Sequence, residues 1–254
     1  MSIYQFSKYD ENRIMPWCPT DSRRNWHENS KKYPNDKTIL YYKQNPIEYK
    51  FNNYGFRTPD DFNDVDEGNI FLGCSYTIGI GHHLENTWSY KVNEHIGGKF
   101  WNLSQGGSGV ATAFRLLYGF KDYLKVKNIF HFAPTLQNFR YEFIIRKLPI
   151  IINVGHRYAK KLVGDKFVNE SLMDIDFAKL EYDKSVCAIK SLANKMGCNY
   201  YFLDEGAIKN FKDDDSIGAR DFLHNTINEQ NHLYESFLKK VEKTDEYLSD
   251  FKIR

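Results

Sequence analysis

Three groups of residues, far apart in the chain, have the types and local settings that acyl transfer needs. Ser75 closes the short apolar run NIFLGCS (69–75) and opens a glycine-bearing loop, TIGIG (77–81). A hydroxyl on such a turn becomes a nucleophile once a neighbouring base takes its proton. Asp221 and His224 stand three residues apart in ARDFLH (219–224). On a turn or helix start, that spacing brings the carboxylate to the near ring nitrogen and leaves the far nitrogen for Ser75. Gly106 and Gly107, in QGGSG (105–109), permit close approach of a backbone N–H to a substrate, and Gln137 and Asn138 offer side-chain amide donors. A nucleophile, a base, an orienting carboxylate and oxyanion donors are what ester cleavage requires.

Each group also has a plainer reading: a turn serine, a surface pair at a helix start, glycines that only punctuate a turn. Cys74 is a poor rival nucleophile, because adjacent side chains diverge and a small buried cysteine is the commoner case. His82-His83 lacks acidic or cysteine partners at metal-binding spacing and reads as solvated loop histidines. Asp213-Asp214-Asp215 reads as an exposed acidic loop rather than a cation site. His131 and His156 read as packed or hydrogen-bonded. No cofactor and no metal is implied.

These residues must be held by an α/β framework. The run 69–75 has the character of a buried parallel strand. A helix fits 87–96, with Trp88, Val92 and Ile96 at four-residue spacing, a cap at Asn86 or Thr87 and a stop at Gly97-Gly98. Strands at 99–104 and 128–134 follow, with a helix over 110–124 between them. LPIIINV (148–154) reads as a buried strand or a helix start, and 140–180 as an insertion of weak periodicity. A helix over 181–196, a strand at 199–204 and a last helix from Thr226, where Thr-Ile-Asn-Glu makes a capping box, complete the pattern. This alternation favours a mostly parallel sheet with helices on both faces, whose sites form at the carboxyl ends of strands. Residues 1–62 read as an irregular N-terminal extension packing on the main domain, with one possible strand, TILYY (38–42). The main domain then spans 63–254.

GCSYTIGIG (73–81) resembles the GDSxTxG block of the SGNH/GDSL hydrolase family, and ARDFLH resembles that family's C-terminal DxxH block. WNLSQGGSG (101–109) is similar to the second block, in which Asn-Leu precedes the oxyanion-hole glycine, here Gly107. NNYGFRTPDDF (52–62) resembles an Asn-x-x-Gly-Phe-Arg lead-in seen before some such domains. Cys74 replaces the supportive Asp of the first block, and APTLQNFR (133–140) stands where Gly-x-Asn-Asp is usual. The resemblance covers roughly residues 50–245. It implies a three-layer α/β/α, flavodoxin-like fold and a serine-dependent ester hydrolase. Ser75, Asp221 and His224 would be catalytic, with Ser75, Gly107 and Asn138 as oxyanion donors and Gln137 as the other amide candidate. The expected substrate is a small or glycan ester, with acetyl the expected acyl group. An O-acyltransferase using the same triad and a catalytically idle binding or structural domain are the alternatives.

Composition narrows the partners. Lys+Arg 35 against Asp+Glu 33 leaves a net charge of +2, and the basic residues are scattered, so nucleic acid and anionic membranes are not expected. No apolar run approaches the ~20 residues of a membrane span, and the first residues lack a signal-peptide pattern. Four widely separated cysteines suit reduced thiols. A cytoplasmic protein is expected, with association with a virus particle left open. Aromatic residues make up 16% of the chain and read mainly as packing, with a sugar-stacking platform as the sharper alternative.

Overall fold

The computed structural model describes residues 3–135, 139–154, 157–209, 211 and 216–252 (side chains at 157, 158 and 245–252 apart). In chain order the first elements are β1 (Ile14–Met15), α1 (Arg23–Lys32), α2 (Lys37–Gln44) and β2 (Tyr49–Lys50). Then come β3 (Glu67–Gly73), α3 (Ser75–Ile78), α4 (Trp88–Ile96), β4 (Lys99–Asn102), α5 (Val110–Phe120) and β5 (Lys125–Ala133). The hairpin β6 (Arg140–Ile145) and β7 (Leu148–Asn153) leads into α6 (Arg157–Val163) and α7 (Asp165–Phe167). The chain closes with α8 (Ile175–Met196), β8 (Asn199–Asp204) and α9 (Ile227–Lys252).

Four parallel strands form the central sheet in the order β4-β3-β5-β8. Alternation along β3 explains how helices cover both faces. Ile70 and Leu72 point to one side, into a core completed by Leu116, Leu117 and Phe120 of α5 and Ile189 and Ala193 of α8. Phe71 points to the other, with Phe130 and Phe132 of β5, Trp88 and Val92 of α4, and Leu233 and Phe237 of α9. A strand buried on both faces must be apolar throughout, which is why NIFLG reads as a continuous run. Three asparagines set the register at its start: Asn128 donates to Asn69 at 2.8 Å and Asn199 donates to Asn128 at 2.9 Å, row by row across the sheet.

Helix ends follow local chemistry. The Thr87 side chain accepts from Tyr90 N–H at the start of α4. At α9, Thr226 N–H donates to Glu229 Oε2 at 2.6 Å and Glu229 N–H donates to Thr226 Oγ1 at 3.2 Å, a complete capping box. Two readings need correction. TILYY lies in α2, not in a strand, because Asp36 caps that helix by accepting from Thr38 and Ile39 N–H. The helix expected from 181 begins at Ile175, where Asp174 accepts from Phe177 N–H at 2.7 Å. The stretch 140–180 opens with a hairpin whose turn residues Arg146 and Lys147 have φ of 51° and 66°. Such turns favour Asn and Gly, so Arg-Lys concealed it. This part builds its own apolar cluster from Ile152, Val154, Ala159, Val168 and Leu172. Arg115 of α5 binds it bidentately through Glu142, at 2.8 and 3.0 Å. No helix among the described residues is long and apolar enough to cross a membrane.

Candidate active site

Ser75 is the first residue of α3, directly after β3, so the strand delivers it to the carboxyl end of the sheet. The passage from strand to helix is tight: a Cβ on Gly73 would lie 2.1 Å from Thr77 Oγ1 and 2.7 Å from the Phe132 carbonyl, so no side chain fits there. Ser75 itself is 5% exposed. The short helix ends at Gly79, whose φ of 74° suits a left-handed cap.

Asp221 and His224 lie in the loop before α9. His224 Nδ1 is 2.8 Å from Asp221 Oδ2. An ionised carboxylate only accepts, so Nδ1 carries the proton and Nε2 is left as the acceptor of the neutral ring. Asp221 also accepts from Leu223 N–H at 3.0 Å and Ser22 N–H at 3.4 Å. Burial raises its pKa, but the His224 contact and these two amides outweigh burial and hold the carboxyl below its ordinary value. Phe222, between the pair, has φ of 58°, a strained conformation for an aromatic residue.

Contacts from this loop and from the start of α9 bring the pair to the Ser75 segment. Gln230 Nε2 donates to the Tyr76 carbonyl at 3.2 Å and to Asn225 Oδ1 at 3.0 Å. Arg220 N–H donates to the Gly81 carbonyl at 2.9 Å. The rings of Tyr76 and His224 meet edge to face, 6.0 Å between centroids. Among the described residues no hydrogen bond joins Ser75 Oγ to His224 Nε2, and neither atom has another partner among them.

Gly107 has φ of 76°, and a Cβ placed on it would meet nothing within 4 Å, so its turn faces open space. Its N–H and that of Ser75 form no hydrogen bond within the described chain, whereas the Gly106 N–H is taken by Tyr9 Oη at 3.1 Å. Asn138 and Gln137 lie outside the described residues, as do His156 and Asp213–Asp215. A cleft of about 640 Å³ adjoins the site, lined among others by Tyr76, Thr135, Tyr182 and Phe211.

Much of what braces the site comes from the N-terminal segment. Arg57 is fully buried and donates to the carbonyls of Ile78, Gly79 and His82 at 2.9, 2.6 and 2.8 Å, clamping the loop behind Ser75. Its only early sign was its place in the NNYGFR stretch. Arg220 is paired with Asp21 and stacks on Trp17 at 3.6 Å, while Tyr49 Oη donates to Asp21 at 2.7 Å and accepts from Gly81 N–H at 2.7 Å. Asp21 is nevertheless pushed above its ordinary value, because burial outweighs Arg220, and its Oδ1 has no partner among the described residues. No motif pointed to Asp21, Trp17 or Tyr49, since their roles depend on contacts across 28 positions or more.

His82 corrects the expectation of solvated loop histidines. It is fully buried; Nε2–H donates to the Asn225 carbonyl at 2.6 Å and Nδ1 accepts from Tyr42 Oη at 3.1 Å. Burial holds its pKa down at about 4, so it stays neutral and ties the Ser75 loop to the His224 loop. His131 is packed in the sheet, 2.9 Å from Tyr200 Oη, and burial lowers it to about 3. Cys74 is buried and a free thiol, as are Cys18 and Cys198, while the free thiol of Cys187 is exposed. No protein-family model matches the chain, and no curated protein matches it in sequence.

Proposed function

We propose that the chain is a serine-dependent ester hydrolase of the SGNH/GDSL type, removing a short acyl group such as acetyl from a carbohydrate or another small ester. The observation that carries this reading is the Asp221–His224 pair at 2.8 Å, with Nε2 left as acceptor, on a loop whose Arg220 N–H bonds the Gly81 carbonyl of the segment that starts at Ser75. Ser75 Oγ attacks the acyl carbon while His224 Nε2 takes its proton. The Ser75 and Gly107 N–H groups hold the oxyanion, with Asn138 the proposed third donor. His224 then protonates the departing alcohol. Water attacks the acyl-enzyme, giving one proton to His224, and the acid leaves as that proton returns to Ser75.

Three further features support it. The sheet order β4-β3-β5-β8 suits a flavodoxin-like arrangement in which the site lies at the carboxyl end of the first strand. The open left-handed turn at Gly107 suits an oxyanion donor. The aromatic rings of Tyr76, Tyr182 and Phe211 in the neighbouring cleft suit the apolar faces of a sugar. The hairpin and helices of 140–180 would shape access, since Arg140 packs on the Ser108 carbonyl.

The test is turnover of phenyl acetate together with labelling by a fluorophosphonate. Native protein should do both, and Ser75→Ala should do neither. Native protein inert to both reagents would overturn the proposal. A catalytically idle domain is the second reading, favoured by the missing hydrogen bond between Ser75 and His224 among the described residues. Labelling decides between them, because it needs an activated serine and no natural substrate.

A further inference from the structure

Two cations flank the Gly107 turn, and no carboxylate among the described residues neutralises them. Lys8 Nζ donates to the Gly106 carbonyl, and Arg140 Nη1 donates to the Ser108 carbonyl at 3.4 Å, so the residues on either side of Gly107 each hold one. Among the described residues neither forms an ion pair. Other cations of this region are matched: Arg115 with Glu142, Arg220 with Asp21, Arg13 with Asp10. Arg140 has a further unmade bond, because its Nε is buried with no partner among the described residues. Lys8 is exposed on the wall of a cleft of about 670 Å³, while Arg140 lines a separate pocket of about 120 Å³ with Gly109 and Thr135.

The electrostatics suit a bound anion. The chain packed around Lys8 desolvates its ammonium, which solvent still reaches from the open side of the cleft. That desolvation lowers its pKa to about 8; Cys18 opposes the shift and the charge of Arg140 adds to it. Two cations that repel each other beside an unused N–H form a setting that a negative charge completes. A guanidinium is also the side chain best shaped to grip a carboxylate.

We propose that the substrate is an anionic ester, whose carboxylate is held by Arg140 and Lys8 while its scissile carbonyl lies at the Gly107 N–H. The word ester rests on the hydrolase reading above; the carboxylate site does not.

Three acyl donors separate the possibilities: phenyl acetate (neutral), 3-acetoxybenzoate (charge on the alcohol side) and monophenyl succinate (charge on the acyl side). Native protein should prefer one of the two anionic esters over phenyl acetate by about tenfold or more in kcat/KM, and the preference should shrink as salt rises. Arg140→Gln and Lys8→Met should each lower that ratio, by about tenfold for one charge-assisted contact. Cations that served only the oxyanion would affect neutral and anionic esters alike. That outcome, or a native preference indifferent to salt, overturns the proposal, and the salt arm needs no variant to fold. Calorimetric titration of Ser75→Ala with 3-acetoxybenzoate, monophenyl succinate and phenyl acetate tests the site without turnover. Binding of an anionic ester that is lost in Ser75→Ala/Arg140→Gln supports it, and equal binding of all three counts against it. A protein that binds the anion yet hydrolyses nothing keeps the carboxylate site and loses the hydrolase reading. One that hydrolyses all three alike does the reverse.

Discussion

Replacing Asp221 with Asn separates the charge of this side chain from its bulk. The carboxylate has 0% side-chain exposure and accepts from His224, Leu223 and Ser22 at 2.8, 3.0 and 3.4 Å. An amide of the same shape keeps one acceptor, which the Leu223 N–H can retain, and turns the other oxygen into an NH2 group. That group would face His224 Nδ1. The ring must then take the opposite tautomer, with Nε2 protonated and unable to accept the Ser75 proton. The expected loss is about 10⁴ in kcat, the order seen when an orienting carboxylate is neutralised in such a triad. At 1.36 kcal/mol per tenfold this is about 5 kcal/mol of barrier. Folding should suffer less, by about 2 kcal/mol, since charge-assisted bonds become neutral ones. The assay is kcat for phenyl acetate and the rate of fluorophosphonate labelling at neutral pH, with unfolding in urea alongside. Asp221→Asn protein within tenfold of native in both rates would refute the idea that this carboxylate sets the state of His224. The acid side gives a second check. The folded carboxyl lies below its unfolded value, so its ionised form contributes stability that is present above the unfolded pKa and lost as pH falls through the folded one. Asp221→Asn should lack that part of the acid-side loss.

Gly107→Ala should cost about 1–2 kcal/mol in urea unfolding, because φ of 76° is strained for an L residue although the space is open; an unchanged midpoint would contradict the turn geometry. Arg220→Met strands the buried Asp21 carboxylate and should destabilise by about 3–5 kcal/mol, with Arg220→Met/Asp21→Asn recovering part of it; additive losses in the double-mutant cycle would argue against direct coupling. His82 binds its proton less readily when folded (pKa about 4) than when unfolded, so stability should rise with pH across about 4 to 6.5. His82→Gln should flatten that slope in urea titrations at pH 4.5 and 7, and an unaltered slope would assign the pH dependence elsewhere.

The elements with strong local signals were legible from the residues. NIFLG, KFWN and the run ending at Ala133 are strands because an apolar stretch bounded by turn residues can be buried on both faces. The capping box at Thr226–Glu229 marked the start of α9, since its bonds span only three positions. Where the local signal was weak or misleading, the reading failed. Arg146-Lys147 carries no turn signature, Asp36 and Asp174 were not recognised as caps, and His82 looks like any loop histidine.

The sequence by itself placed Ser75 after a strand, spaced Asp221 to reach His224 and made Gly107 able to adopt its turn, because each of these depends on neighbours a few residues away. It could not place the N-terminal segment. Only the tertiary structure decided that Arg57 clamps the loop behind Ser75, that Asp21 and Arg220 hold the turn of Asp221, and that Lys8 and Arg140 each bond a carbonyl beside Gly107. Those contacts join residues 21 to 199 positions apart, and no local periodicity records them. They form because burying Arg57, Asp21 and His82 leaves polar groups that must find partners, and the partners they find belong to distant loops.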